Sequence, residues 1–414
     1  MVLFRRNSSS CTTEKRYCAR VSTSSAAPAV TAAARADARR LLVASTAGRA
    51  APDDVDLAEL PSPWLYRAAT LHRIAPALRR SLNAATDVPV RLRQALLHST
   101  QQQRIGHLRS LTDLAHIGSV FEGEGVRWAV AKGPVAAAHL WPAADMRQYT
   151  DVDVYVAPAD FQRALDALLA AGCTAVDRNW PEIARQRRAE LALRGRHGSM
   201  IDLHWHIAVR PELRSAFTID IDGMFERVRT VRLGNASVPT FGREDGALLL
   251  AFHAAMSGGN RLMWLGDLWY ATRESSFSWG LLQERARAAS VTLPVALVCA
   301  RMDALLGADD QSSPLLRPRG AWAWVARMSA RRSGAVFLEG DRHADGGVVA
   351  AARPSLAATV RTAVRDRWSI RRGERDWDRG HQAANPLDED VPDASAREYY
   401  LRQVVRADRG GETG

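Results

Sequence analysis

Residues 150–156 read Thr-Asp-Val-Asp-Val-Tyr-Val, an unbroken alternation. Successive side chains of a strand point to opposite faces. Val152, Val154 and Val156 therefore share one face, and Asp151, Asp153 and Tyr155 the other. Three β-branched side chains on one face demand a core behind them, so the chain must build a sheet here. Its neighbours fit. Val126–Ala131 is a short apolar run suited to a buried strand, Lys132-Gly133-Pro134 is a turn, and Val135–Leu140 is a short helix. Asp160 is placed to cap a helix carrying Phe161, Leu165, Leu168 and Leu169 and closed by Gly172. Cys173–Val176 reads as a strand, and Arg194–Val209 as a hairpin turning at His197-Gly198, with Ser199–Ile207 as its second strand.

On both sides of this segment the pattern is helical. Leu92, Leu96 and Leu97 belong to a long helix expected from Arg91 to Glu122 and stopped near Gly123 and Gly125. Glu244–Met256, Leu262–Thr272, Trp279–Ala289 and Pro294–Leu306 are further helices. The expected fold class is α+β. Residues 1–30 read as a disordered extension, 31–125 as a helical region, 126–240 as the sheet-bearing core, and 241–310 as an all-helical C-terminal domain. Residues 311–414 read as a variable, partly mobile tail with a solvated acidic triplet, Asp388-Glu389-Asp390.

Composition removes several classes of function. Of the 414 residues 47% are hydrophobic and 24% charged, as in an ordinary folded chain. No apolar run approaches the roughly 18 residues that span a bilayer. The four cysteines are scattered and form no CxxC pair, which excludes a disulfide scaffold and a cysteine zinc site and suits a reducing, cytoplasmic setting. Net charge is +11, but +6 of it sits in residues 1–40. The basic stretches lack interleaved aromatics and no helix-turn-helix stands out, so specific DNA binding is not expected. There is no P-loop, GxGxxG, HExxH or GxSxG. Of the 56 Lys and Arg residues only Lys15 and Lys132 are lysine.

The residues with chemical promise cluster near the alternating strand. Asp151 and Asp153 repel each other, and both stay ionised only with a cation between them. Such a pair suits Mg²⁺, although acid-x-acid is common on exposed strand faces. Asp202 lies in Met200-Ile201-Asp202-Leu203-His204-Trp205-His206, about 50 residues later. His204 and His206 fall on the Asp202 face. They are read as hydrogen-bond supports for the carboxylates, with a zinc or iron ligand set as the alternative.

With these motifs the chain resembles the nucleotidyltransferase superfamily, the fold of DNA polymerase β and the antibiotic nucleotidyltransferases. More narrowly it resembles an uncharacterised bacterial nucleotidyltransferase family often encoded beside peptide natural-product genes. The family pattern appears as Ala131-Lys132-Gly133, Leu140-Trp141-Pro142, Arg147, Asp151-Val152-Asp153 and Ile201-Asp202-Leu203-His204-Trp205. It continues through Glu244-Asp245 to His253, Leu262 to Asp267, and Trp279 to Ala286. Superfamily members usually carry Gly-Ser where this chain has Lys132-Gly133, a form the narrower family shares.

The resemblance implies a small mixed sheet with flanking helices and a Mg²⁺-dependent transfer of a nucleoside monophosphate from an NTP. The acceptor is a small molecule, or a peptide or protein of a biosynthetic pathway. Asp151 and Asp153 would bridge two Mg²⁺ ions, and Asp202 would bind one of them or act as a general base. Lys132, Gly133 and Arg147 would contact the nucleotide phosphates. For Arg147 a plain ion pair with Asp145 or Asp151 is an equal reading. His253 and Asp267 are expected to be structural or supporting. The alternative function is a non-catalytic accessory or toxin–antitoxin protein on a degenerate nucleotidyltransferase fold.

Overall fold

The computed structural model describes residues 30–307, 316–331, 336, 338, 347–366 and 385–408. The expected extension at 1–30 lies almost wholly outside them. The N-terminal part is helical: α1 (Ala32–Thr46), α2 (Ser62–Leu71), α3 (Ala75–Ser81) and the 34-residue α4 (Val90–Gly123). At 1.5 Å per residue α4 is about 50 Å long and serves two cores. Its first half, through Leu92 and Leu96, packs with α1 to α3. Its last turns, through Leu114, Ile117 and Phe121, back the sheet.

The sheet is built from β1 (Trp128–Ala131), β2 (Asp151–Val156), β3 (Thr174–Ala175), β4 (Glu190–Arg194) and β5 (Met200–His204), in the order β1-β2-β5-β4-β3. Strands β2 and β5 are parallel and the other pairs antiparallel. Between the strands lie α5 (Gly133–His139), α6 (Phe161–Ala170) and α7 (Trp180–Gln186). Asp160 does not cap α6. A 3₁₀ turn over Pro158–Asp160 has already put it in helical geometry, whereas an N-cap needs an extended backbone. Its carboxylate instead accepts the Arg127 backbone N–H at 3.2 Å and pairs with Arg163.

The hairpin joining β4 to β5 is held by Asp113 of α4, a buried carboxylate that accepts the backbone N–H groups of His197 (2.8 Å) and Ser199 (3.0 Å). A Cβ at Gly195 would sit 2.5 Å from the Asp113 carboxyl carbon, so a side chain there would displace the carboxylate from the hairpin. After the short α8 (Pro211–Arg214) and α9 (Ile221–Phe225), β6 (Arg229–Leu233) and β7 (Ala236–Thr240) form a separate hairpin. The Thr240 hydroxyl donates to the Val130 carbonyl at 2.7 Å, which covers the outer edge of β1.

The C-terminal region is helical: α10 (Arg243–Met256), α11 (Leu262–Ala271), α12 (Trp279–Ala288) and α13 (Thr292–Leu306), followed by α14 (Ala321–Arg331), α15 (Gly347–Ala351) and α16 (Ala394–Asp408). It decides the environment of the sheet. Val130, Val152, Val154, Val156, Ile201 and Leu203 point into one core with α4 and α6. Ala129, Ala131 and Tyr155 point the other way, into a second core with Phe241, Leu249 and Phe252. The acidic face of β2 is thus roofed by helices rather than open to water. Within the expected tail, α16 packs on α6 and α7, where Leu387, Tyr400, Leu401 and Val404 join the first core. The Tyr400 hydroxyl accepts the Trp205 indole N–H (3.0 Å) and donates to the Arg188 carbonyl (2.8 Å). The triplet 388–390 is exposed.

Candidate active site

The register of β2 against β5 brings the candidate site together. Asp153 of β2 lies opposite Asp202 of β5, and Tyr155 opposite His204, so the four share the face under the C-terminal helices. Asp153, Asp202 and His204 are all buried, and Asp151 is half-buried. Asp153, Asp202 and His204 each present a ligand atom within 4.8 Å of the others. The His204 ring stacks on Tyr155 with centroids 4.6 Å apart and planes 12° from parallel. Its Nε2 is 3.2 Å from Asp153 Oδ1 and its Nδ1 is 3.6 Å from Glu190 Oε2. Glu190 in turn pairs with Arg188.

Lys132 enters from the turn between β1 and α5. Its backbone has φ +55° and ψ −143°, a conformation side-chain-bearing residues rarely adopt, and Gly133 follows at φ +40°. A Cβ on Gly133 would lie 3.1 Å from the Asp151 carbonyl oxygen, so at this positive φ a side chain would strain the turn and press it off β2. Lys132 Nζ reaches Asp153 Oδ1 at 2.8 Å and His253 Nδ1 at 3.3 Å. Burial would raise the Asp153 carboxyl, but the Lys132 charge and the His204 hydrogen bond outweigh it and hold the group well below the usual carboxylate range. Burial, together with the Lys132 charge, holds His253 well below the ordinary histidine value. His253 therefore faces the lysine as a neutral acceptor.

Arg147 is engaged within the protein. It is buried, and its Nε and Nη2 form a two-pronged pair with Asp267 Oδ1 (2.6 Å) and Oδ2 (2.7 Å). The Trp141 indole N–H adds a bond to Asp267 Oδ1 at 2.7 Å. The remaining prong, Nη1, donates to the Gly133 carbonyl at 3.3 Å. Its partner is thus neither Asp145 nor Asp151. Asp145 is taken by Arg80 and Arg104. Arg147 ties the Lys132-Gly133 turn to α11.

His206 is not brought to the site. Strand β5 ends at His204, and the His206 Nδ1 accepts the Ala208 backbone N–H at 2.9 Å. Burial and the nearby Arg214 push its pKa down to about 4. Glu190 was missed in the sequence. Its signal was the hairpin register, which sets it opposite His204, four residues before the expected strand start at Arg194.

The donor set fits a divalent cation. Two buried carboxylates and an imidazole converge, a third carboxylate shares their face, and hard oxygen donors suit Mg²⁺. The model of the family described as an uncharacterised nucleotidyltransferase matches residues 59–307. The chain belongs to that nucleotidyltransferase family. The match runs from just before α2 through α13 and takes in every residue of the site. No curated protein matches this nucleotidyltransferase-family chain. Helix α16, which covers part of the sheet core, lies beyond the matched stretch.

Proposed function

We propose that the chain transfers a nucleoside monophosphate from an NTP to a small-molecule or peptide or protein acceptor, with Mg²⁺ held by Asp151, Asp153 and Asp202. The observation that carries this is the register of β2 against β5, which lines up Asp153 with Asp202 and leaves Asp151 on the same face, nearer solvent. When bound, the metal supplies charge neutralisation at the phosphorus and acidifies the acceptor hydroxyl. The acceptor oxygen forms a bond to the α-phosphorus, and the bond from that phosphorus to the bridging oxygen breaks. Pyrophosphate leaves with the electron pair. Asp202 stands as the group that takes the acceptor proton. Lys132 supplies a mobile positive charge to the phosphates, and Gly133 lets backbone amides approach them. His204, braced by Glu190 and Tyr155, orients Asp153.

Calorimetry with MgATP and MgGTP on wild type and Asp153→Asn tests the reading. The variant keeps the side-chain shape and removes the charge, so binding should be lost. Equal binding by both proteins overturns the assignment. The ion pair between Lys132 and Asp153 favours a second reading, a non-catalytic accessory protein whose lysine stands permanently where a metal would. That reading requires nucleotide binding that does not depend on a divalent ion.

A further inference from the structure

We propose that Lys132 is a built-in counter-ion of the metal site, and that its transfer from Asp153 to the triphosphate makes metal and nucleotide bind as a coupled pair. This rests on the reading above. Asp153 Oδ1 receives both Lys132 Nζ at 2.8 Å and His204 Nε2 at 3.2 Å. A divalent ion on Asp153 has to share that carboxylate with an ammonium already in contact with it. The Lys132 side chain is only about one-tenth exposed, so little water screens the two cations from each other. Free metal therefore binds against a standing positive charge.

The lysine can leave, and little else can replace it. Its ammonium is a point charge on a flexible four-carbon stem. Its second partner, His253 Nδ1, is a single nitrogen at 3.3 Å and holds it weakly. Arg147, the nearby guanidinium, is buried and held in place by Asp267 on two prongs and the Gly133 carbonyl on the third. A triphosphate against the Gly133 turn offers the ammonium an anion of higher charge than Asp153. The lysine swings to it, and the carboxylate oxygen it vacates goes to the metal. Each ligand thus removes an obstacle to the other, and by linkage the two enhancements are equal.

Mn²⁺ is the probe, its free concentration read by electron paramagnetic resonance with and without the non-transferable analogue α,β-methylene-ATP, each reading corrected by a protein-free solution for the Mn²⁺ that the analogue itself binds. Wild type should bind Mn²⁺ about tenfold more tightly, or better, when the analogue is present. Lys132→Met should bind Mn²⁺ alone about tenfold more tightly than wild type and lose most of the coupling. Lys132→Arg, which keeps the charge, should show no such tightening. If Lys132→Met does not melt cooperatively, Lys132→Gln takes its place. A Met or Gln variant that binds Mn²⁺ no better than wild type overturns the proposal, as does a wild type without coupling. Failure of the parent reading looks different: wild type and Asp153→Asn would then bind Mn²⁺ alike, or not at all, with the analogue present.

Discussion

Arg147 and Asp267 lie 120 positions apart and meet as a fully buried, two-pronged ion pair. Burial works against the guanidinium charge, and Asp267, with Asp153 and Asp151 farther off, more than offsets it. Removing one partner strands the other's charge. Asp267→Ala should therefore cost about 3–5 kcal/mol in urea unfolding, while the joint replacement Arg147→Met with Asp267→Leu should recover most of that loss. A single-variant loss below about 1 kcal/mol would show that the charge finds water or another partner. The sequence placed Arg147 near the acidic strand but could not name its partner. Asp145 and Asp151 are its close acids in sequence, and only the docking of α11 brings Asp267 in. Lys132 shows the reverse. Its place before Gly133 and its rarity as a lysine marked it out, and it reaches Asp153 directly.

At the scale of elements, local pattern was legible wherever a single face decided it. The long helix expected from Arg91 to Glu122 is found at Val90–Gly123, and the helix expected at Glu244–Met256 at Arg243–Met256. The alternation at 151–156 is strand β2, residue for residue. Legibility failed at the end of β5, where the chain turns away after His204 and carries His206 off the acidic face. A period-two pattern says which face a residue takes, but not where the ladder stops. The β4–β5 hairpin depends on Asp113, which no strand pattern reveals because it sits on α4. Asp113→Ala would leave the His197 and Ser199 amides without their carboxylate, at about 1.5–3 kcal/mol for each bond. The expected result is a lower melting temperature and faster amide exchange in β4 and β5. Exchange that rises evenly along the whole chain would show that the hairpin is not specifically anchored.

For the whole molecule, one sheet serves two cores, and the site lies at the seam between the sheet and the C-terminal helices. Asp153 and Asp202 come from the sheet, Lys132 from the turn beside it, and His253 and Asp267 from the helices above. Among the described residues no helix is long and apolar enough to cross a membrane. The seam explains how Asp153 and Asp202 stay close on a roofed face: the Lys132 ammonium offsets charge that water would otherwise screen, and His204 adds a hydrogen bond to Asp153. In the proposed function this charge serves transfer at the α-phosphorus. Its most direct test supplies Mg²⁺, an extract of small molecules and peptides, and NTP radiolabelled at either the α- or the γ-phosphorus. The α-label should become covalently attached to an acceptor while the γ-label leaves as pyrophosphate, both reactions disappearing in Asp153→Asn. A γ-label found on the acceptor, or α-label transfer that survives in Asp153→Asn, would contradict it.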